Sequence, residues 1–228
     1  PHSCERMAHT MRKRPMIVLF AVCLIGFCAH THSSFAEEKA WRIGTPIVNY
    51  WAGPAMTDAV AQQMAEGGWN LVWCTEKERD VAKRHGLRAM LQDGLLDPAS
   101  LDDPGKRAQL DALIGRVKKH PALYSYYLHD EPNTSAFPAL GRLVEYLRQH
   151  DPAHLAYINL FPTYASNEQL GAKGDIVTAY KEHVREYMET VKPALISYDH
   201  YHFASSDRSD NEFQGTPAIA NGKDGWQY

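Results

Sequence analysis

The chain has 228 residues, a formal net charge of −3 and 22% charged residues, which is length and polarity enough for one ordinary domain with its own core. The near balance of charge argues against a nucleic-acid or anionic-membrane partner. Of the four cysteines only Cys74 lies after residue 36, so an intramolecular disulfide framework is excluded from that point on.

The chain opens Pro1-His2-Ser3-Cys4, not with Met, and Met11 reads as a start. Arg12-Lys13-Arg14 follows, then an apolar run over 16–29. Ser34 and Ala36 then place small residues three and one before Glu37. That order is a basic region, a short apolar core and a small-x-small cleavage site. Residues 1–36 are therefore expected to be an upstream extension plus secretory signal, cut after Ala36, with the product secreted or periplasmic. The apolar run is short for a membrane span, so no stable insertion is expected after cleavage. Val22 before Cys23 and Phe27 before Cys28 disfavour a lipoprotein site.

Residues 37–228 alternate strand-like and helix-like runs. Strands are predicted over 41–50, 70–74, 87–92, 124–128, 155–160 and 194–198. Helices are predicted between them. The first covers 57–67, with Thr57 as cap, Val60, Ala61 and Met64 on one face, and Gly67-Gly68 as stop. The second covers 76–85 and ends at Gly86. The third covers 103–120, where Leu110, Leu113, Ile114 and Val117 recur at helical spacing. The fourth covers 135–150, with Leu140, Leu143, Val144 and Leu147 as its buried stripe. The fifth covers 176–191 and is stopped by Pro193.

Six βα-type units in a row imply a parallel sheet. No Gly-rich phosphate turn follows the first predicted strand, which disfavours a dinucleotide-binding sheet. Polar and aromatic residues gather at most strand ends: Asn49, Tyr50 and Trp51; Trp73 and Thr75; Gln92 and Asp93; His129, Asp130 and Glu131; Asn159; and 198–202. Barrel active sites are built at that end of the strands. The expected fold is an α/β class (β/α)8 barrel in which about six of eight units are present. The polar stretch 204–225 reads as a long loop, and strands seven and eight are expected to be absent from this sequence.

The sharpest chemical signal is Tyr124-Ser125-Tyr126-Tyr127-Leu128-His129-Asp130-Glu131-Pro132. An aromatic strand runs into two adjacent carboxylates. Side chains alternate along a strand, so only one of the two faces the barrel axis while the strand stays regular. A carboxyl among tyrosine rings is partly desolvated, which raises its pKa and suits proton donation. The competing reading makes Asp130 and Glu131 a cap for the next helix, although Thr134 and Ser135 are better caps.

This motif resembles the strand-four end of the retaining barrel glycoside hydrolases. The phrase from Tyr126 to Pro132 looks most like bacterial proteins related to the family 42 β-galactosidases. The resemblance implies that Glu131 is the general acid/base and that the residue before it contacts the sugar 2-hydroxyl. That residue is Asn in the best-known families and Asp130 here. It also implies a nucleophilic Glu at the end of strand seven.

Ser197-Tyr198-Asp199-His200-Tyr201-His202-Phe203 forms a second constellation, in which Tyr198, Asp199, His200 and Tyr201 are candidate sugar-binding or orienting residues. Core packing of aromatics on a strand is an equally weighted alternative. Trp51, Trp73 and the tyrosines are candidate sugar-stacking rings, with core packing as the alternative, and Asn159 is a candidate hydrogen-bonder to substrate, with a turn residue as the alternative. Asp199, His200 and His202, with Asp93, His129 or Glu131, can be read as metal ligands. That pattern has no defining spacing, so neither metal nor cofactor is expected. Cys74 reads as a buried hydrophobe, and His85, His120 and His150 as helix-end residues that suit the dipole. The expected function is an exported glycoside hydrolase acting on poly- or oligosaccharides. The alternatives are a non-catalytic carbohydrate-binding barrel and a metal-dependent barrel hydrolase or isomerase.

Overall fold

A computed structural model describes residues 41–50 and 53–200, all within one compact unit, Ala36–Tyr228. The expected leader over 1–36, Trp51, and the residues from Tyr201 onward lie outside the described residues.

The elements follow in the order α1 (Asp58–Glu66), β1 (Leu71–Cys74), α2 (Arg79–Arg84), β2 (Arg88–Leu91), α3 (Pro104–Val117), β3 (Leu123–Asp130), α4 (Phe137–His150), β4 (Leu155–Leu160), α5 (Asn167–Leu170), α6 (Ile176–Thr190) and β5 (Ser197–Tyr198). Short 3-10 turns precede α3 and α4. The strands form one sheet in the order β1-β2-β3-β4-β5, and every pairing is parallel. Sequential order without reversal separates this sheet from a doubly wound one, which returns to its middle at a switch point.

Alternation along the strands assigns the two faces. Val72, Cys74 and Ala89 pack with Ala61 and Ala82 of α1 and α2. Leu91, Tyr126, Leu128, Ile158 and Leu160 pack with the stripes of α3 and α4 and with Tyr187 of α6. The opposite face carries Leu71, Trp73, Met90 and Tyr124, joined by Trp41, Ile47, Tyr50, Tyr127 and Tyr157. Helices on one face and an aromatic interior on the other make this the wall of a (β/α) barrel, with five strands described. β1 is buried throughout, as a strand covered on both sides must be.

The helices form where local signals put them. Thr57 accepts from the Val60 amide and caps α1. Asp103 caps α3, and Pro104 takes the first helical position, where a missing N–H costs nothing. The stripes predicted for the third and fourth helices are the ones buried on α3 and α4. Each of those leucines contributes about 1.5–3 kcal/mol by leaving water. Cys74 is buried, and burial pushes its thiol up to about 12, so it is a packing group and not a nucleophile. His85, His120 and His150 sit at helix ends, beside Asp58, Asp80 and the Tyr146 carbonyl respectively.

The strand predicted over 41–50 is not a strand. Residues 41–48 run as a strap past the N-terminal ends of β4, β3, β2 and β1 in turn. The Trp41 amide donates to the Pro152 carbonyl just before β4 (2.8 Å). Tyr124 of β3 donates its hydroxyl to the Ile43 carbonyl (3.0 Å). Arg88 of β2 donates to the carbonyls of Thr45 and Pro46. The Val48 carbonyl accepts from the amides of Asn70 and Leu71 at the start of β1. Side chains take up the carbonyls that a neighbouring strand would otherwise satisfy, so no ladder is needed. Gly44, at φ +61°, turns the strap where a side chain would be strained.

Candidate active site

β3 ends in the two carboxylates, and its regularity fails just before them. Pairing with β4 shifts register between Tyr127 and His129, and the strand stops at Asp130. Glu131 then adopts φ +47°, the left-handed region, at a cost of about 1–3 kcal/mol for a residue with a side chain. The surroundings hold it there. Its amide donates to the Asn159 carbonyl (2.8 Å). Two residues on, Asn133 donates to the carbonyls of Glu168 and Gln169, and Thr134 donates to that of Gly171. Asn133 also caps the turn before α4 by accepting from Ser135, so the capping job that competed for Asp130 and Glu131 belongs to Asn133.

The parallel register lines up a row of polar side chains across three strands. Asp130 pairs with Asn159, and Asn159 with Ser197. Asn159 is 3% exposed. Its amide nitrogen donates one hydrogen bond to Asp130 (3.2 Å) and one to Asp199 (2.7 Å). Its carbonyl accepts from Ser197 Oγ (2.9 Å). With the Ser197 proton committed there, the Tyr157 hydroxyl donates to Ser197 (2.9 Å). The chain of donors therefore runs Tyr157, Ser197, Asn159 and ends on two carboxylates. Asn159 spends both its N–H groups inside the site.

Below this row lies an aromatic layer. Trp73 stacks on Tyr127 at 4.6 Å and 38°, and Tyr127 lies 6.3 Å from Tyr157. Burial pushes the Tyr127 phenol up to about 12, with Asp130 and Tyr157 adding to it. Tyr157 is raised by burial, against the Ser197 hydrogen bond, with Asp199 and Asp130 adding. Both remain protonated and act as walls and donors, not bases. Burial also raises the Asp130 carboxyl. The Asn159 hydrogen bond opposes that rise and the Asp199 charge reinforces it.

An open groove of about 640 Å³ lies at the C-terminal ends of β1, β2 and β3, lined among others by Thr75, Gln92, Asp93, Asp97 and Tyr127. Its rim is tied together by Glu78, which accepts from the Thr75 amide and hydroxyl and from the Met56 amide. Of the other expected site residues, Tyr198 is 40% exposed and lies edge-on to the exposed His200, with ring centres 6.4 Å apart. Trp51 and Tyr201 lie outside the described residues. Among the described residues no group of three His, Cys, Asp or Glu is placed to hold a metal ion, and no helix is long and apolar enough to cross a membrane.

Sequence reading gave Tyr157 and Ser197 no hydrogen-bonding role and did not single out the Asn133 clamp. For Tyr157 and Ser197 the signal was present: each lies two residues before a candidate, Asn159 or Asp199, and so shares its face.

No protein-family model matches the chain, and no curated protein matches it in sequence. Among solved structures the chain is similar to the endoglucanase Cel5A of Pseudomonas stutzeri, at 20% identity over 50% of this chain and 46% of that one, with a TM-score of 0.36. The same endoglucanase in complex with cellobiose aligns at 17% identity over 50% of this chain and 44% of that one, with a TM-score of 0.33. The chain spans under half the length of these structures. At that overlap no residue's role passes from them to this chain.

Proposed function

We propose that the protein is an exported glycoside hydrolase acting on poly- or oligosaccharides, with Glu131 as its general acid/base. The observation that carries the reading is Glu131 itself. A carboxylate is held in left-handed backbone at the C-terminal end of a barrel strand, and its neighbour Asp130 is linked through Asn159 to Asp199. Strain maintained by surrounding contacts is characteristic of sites that have a task. The groove at the C-terminal ends of β1, β2 and β3, with Tyr127 in its wall and Trp73 packed against that ring, offers polar edges and a ring face, as a pyranose requires.

In this reading Glu131 protonates the leaving glycosidic oxygen and later draws a proton from water. A second carboxylate attacks the anomeric carbon, or activates water, depending on its distance from Glu131. We assign it to a barrel strand that follows β5 in chain order. Residues 11–36 serve as the export signal, which N-terminal sequencing of the secreted product would check by finding Glu37 first. A barrel that binds sugar without cleaving it is the second reading, favoured by the degree to which Asn159 is consumed within the site.

The test is reducing-end release by the full-length protein on a panel of glycans, with Glu131→Gln alongside. The expected loss is on the order of 10²–10⁴-fold in kcat with glycan binding retained. Unchanged release would remove Glu131 from the mechanism, and binding without release in the parent protein would favour the second reading.

A further inference from the structure

We propose that His183 of α6 is a positioning residue for Glu131, acting through the end of α5. The gain to catalysis rests on the glycoside-hydrolase reading; the coupling between the two residues does not.

α5 is a helix of 4 residues, too short to satisfy its own carbonyls, so the groups at its end take donors from elsewhere. Side chains from both flanks supply them. Asn133 donates to the carbonyls of Glu168 (2.9 Å) and Gln169 (3.2 Å), and Thr134 donates to that of Gly171 (3.0 Å). Between them lies the carbonyl of Leu170, a fully buried residue, and His183 Nδ1 takes it from α6 at 2.9 Å. A carbonyl only accepts, so Nδ1 carries the proton. The same ring packs against Phe137, the first residue of α4, with ring centres 5.0 Å apart. His183 therefore touches both halves of the clamp: the loop after β4, and the segment that leads from Glu131 into α4.

Packing alone does not require a histidine here. The ring is fully buried among Phe137, Phe161 and Tyr180. With Nδ1 protonated, Nε2 is an acceptor, and it is buried with no hydrogen-bond partner among the described residues. A leucine would fill the same space without stranding an acceptor, but it would leave the Leu170 carbonyl without its donor. Burial also holds the imidazole below its ordinary pKa, against the pull of the Leu170 hydrogen bond, so the ring is neutral and keeps that one N–H. Glu131 is where loss of the donor is felt. Its left-handed backbone, at φ +47°, persists only while the contacts around it over-determine it. The path from His183 is short. It runs through the end of α5 to Asn133 and Thr134, and Asn133 is two peptide bonds from Glu131.

Two variants of the full-length protein separate the donor from the filler. His183→Leu fills the space and removes the donor. His183→Asn keeps an N–H the same number of bonds from the backbone. Amide hydrogen exchange is read over 131–136, with β2 as the internal reference. In His183→Leu, exchange over 131–136 is expected to quicken by about tenfold beyond any change at β2, the factor that loss of one hydrogen bond supplies. In His183→Asn it should stay near the parent rate. On a cleaved glycan, kcat of His183→Leu should fall by roughly 10- to 100-fold with KM little changed, because the groove at β1, β2 and β3 is untouched, and His183→Asn should recover most of the loss. Unchanged exchange over 131–136 overturns the proposal, as does an equal quickening at β2, or an Asn variant no closer to the parent than the Leu variant. Should His183→Leu not fold, native-state exchange in the parent decides: the Glu131 and Gly171 amides are expected to open in one step, and separate opening overturns the proposal. Coupled exchange without any glycan cleavage would leave the His183 contact standing and remove the hydrolase reading.

Discussion

The two ends of the sheet hold carboxylates in opposite ways. At the N-terminal end, Asp151 is 1% exposed and fully served. The Tyr126 hydroxyl donates to it at 2.5 Å, and His154 Nδ1 donates to both its oxygens at 2.8 and 2.7 Å. The strap over 41–48 closes the same end. At the C-terminal end, Asp130 accepts from an amide that it shares with Asp199, and the next residue sits in strained backbone. One end satisfies its charge by surrounding it with donors. The other sets two carboxylates on one amide, and a groove opens at that end of β1, β2 and β3. In barrels the first pattern belongs to stability and the second to chemistry.

The sharpest way to break this contrast is Asp151→Ala. It orphans a buried phenol and an imidazole, and should cost about 3–5 kcal/mol in urea unfolding with little change in any residual activity per folded molecule. A loss under about 1 kcal/mol would mean that the lower end is no tighter than the upper.

Next in size is Gly171→Ala, at the clamp beneath Glu131. Gly171 sits at φ +71°, and an added Cβ would lie 2.4 Å from Asn133 Oδ1 and 2.5 Å from Thr134 Oγ1. We expect a loss of about 1–3 kcal/mol from backbone strain and displacement of the loop, with glycan release falling further than stability explains. Equal losses would make the clamp a purely structural contact.

Asp130→Asn should act in the opposite direction. A raised carboxyl contributes its stability below its unfolded pKa and loses it as pH rises through the folded value. An amide does not titrate, so the variant should show a higher urea midpoint than the parent at pH 7 and no gain at pH 3. A gain that persisted at pH 3 would locate the effect in packing instead of charge.

The smallest effect is at Glu78. Burial pushes its carboxyl up, but the Thr75 amide and hydroxyl and the Met56 amide outweigh that and hold it below the usual range. Its contribution is present above the unfolded value and lost as pH falls through the folded one. Glu78→Gln should therefore lower stability at neutral pH slightly and leave the acid end nearly unchanged, which flattens the acid limb of the stability curve. An unaltered acid limb would assign that limb to other carboxylates.

How much of this was legible varies with distance along the chain. The stripes of α3 and α4, the Thr57 cap and the carboxylates at the end of β3 follow from neighbours three or four residues apart, or from strand alternation. The strap over 41–48 has the apolar content of a strand, which predicts one. What made it otherwise are donors on Asn70, Arg88 and Tyr124, up to 81 residues away. Asn159 was legible as a strand-end polar residue but not as the bridge between Asp130 and Asp199, which lie 29 and 40 residues from it.

The sequence alone determined the alternation of elements, the faces the helices bury and the strand that carries Glu131, because periodicity and capping act within a turn or two of chain. Only the tertiary structure decided the strap, the left-handed turn at Glu131 and the amide shared by two carboxylates. Each of those depends on the register between parallel strands, and a parallel register is set by packing between segments that the chain order keeps far apart.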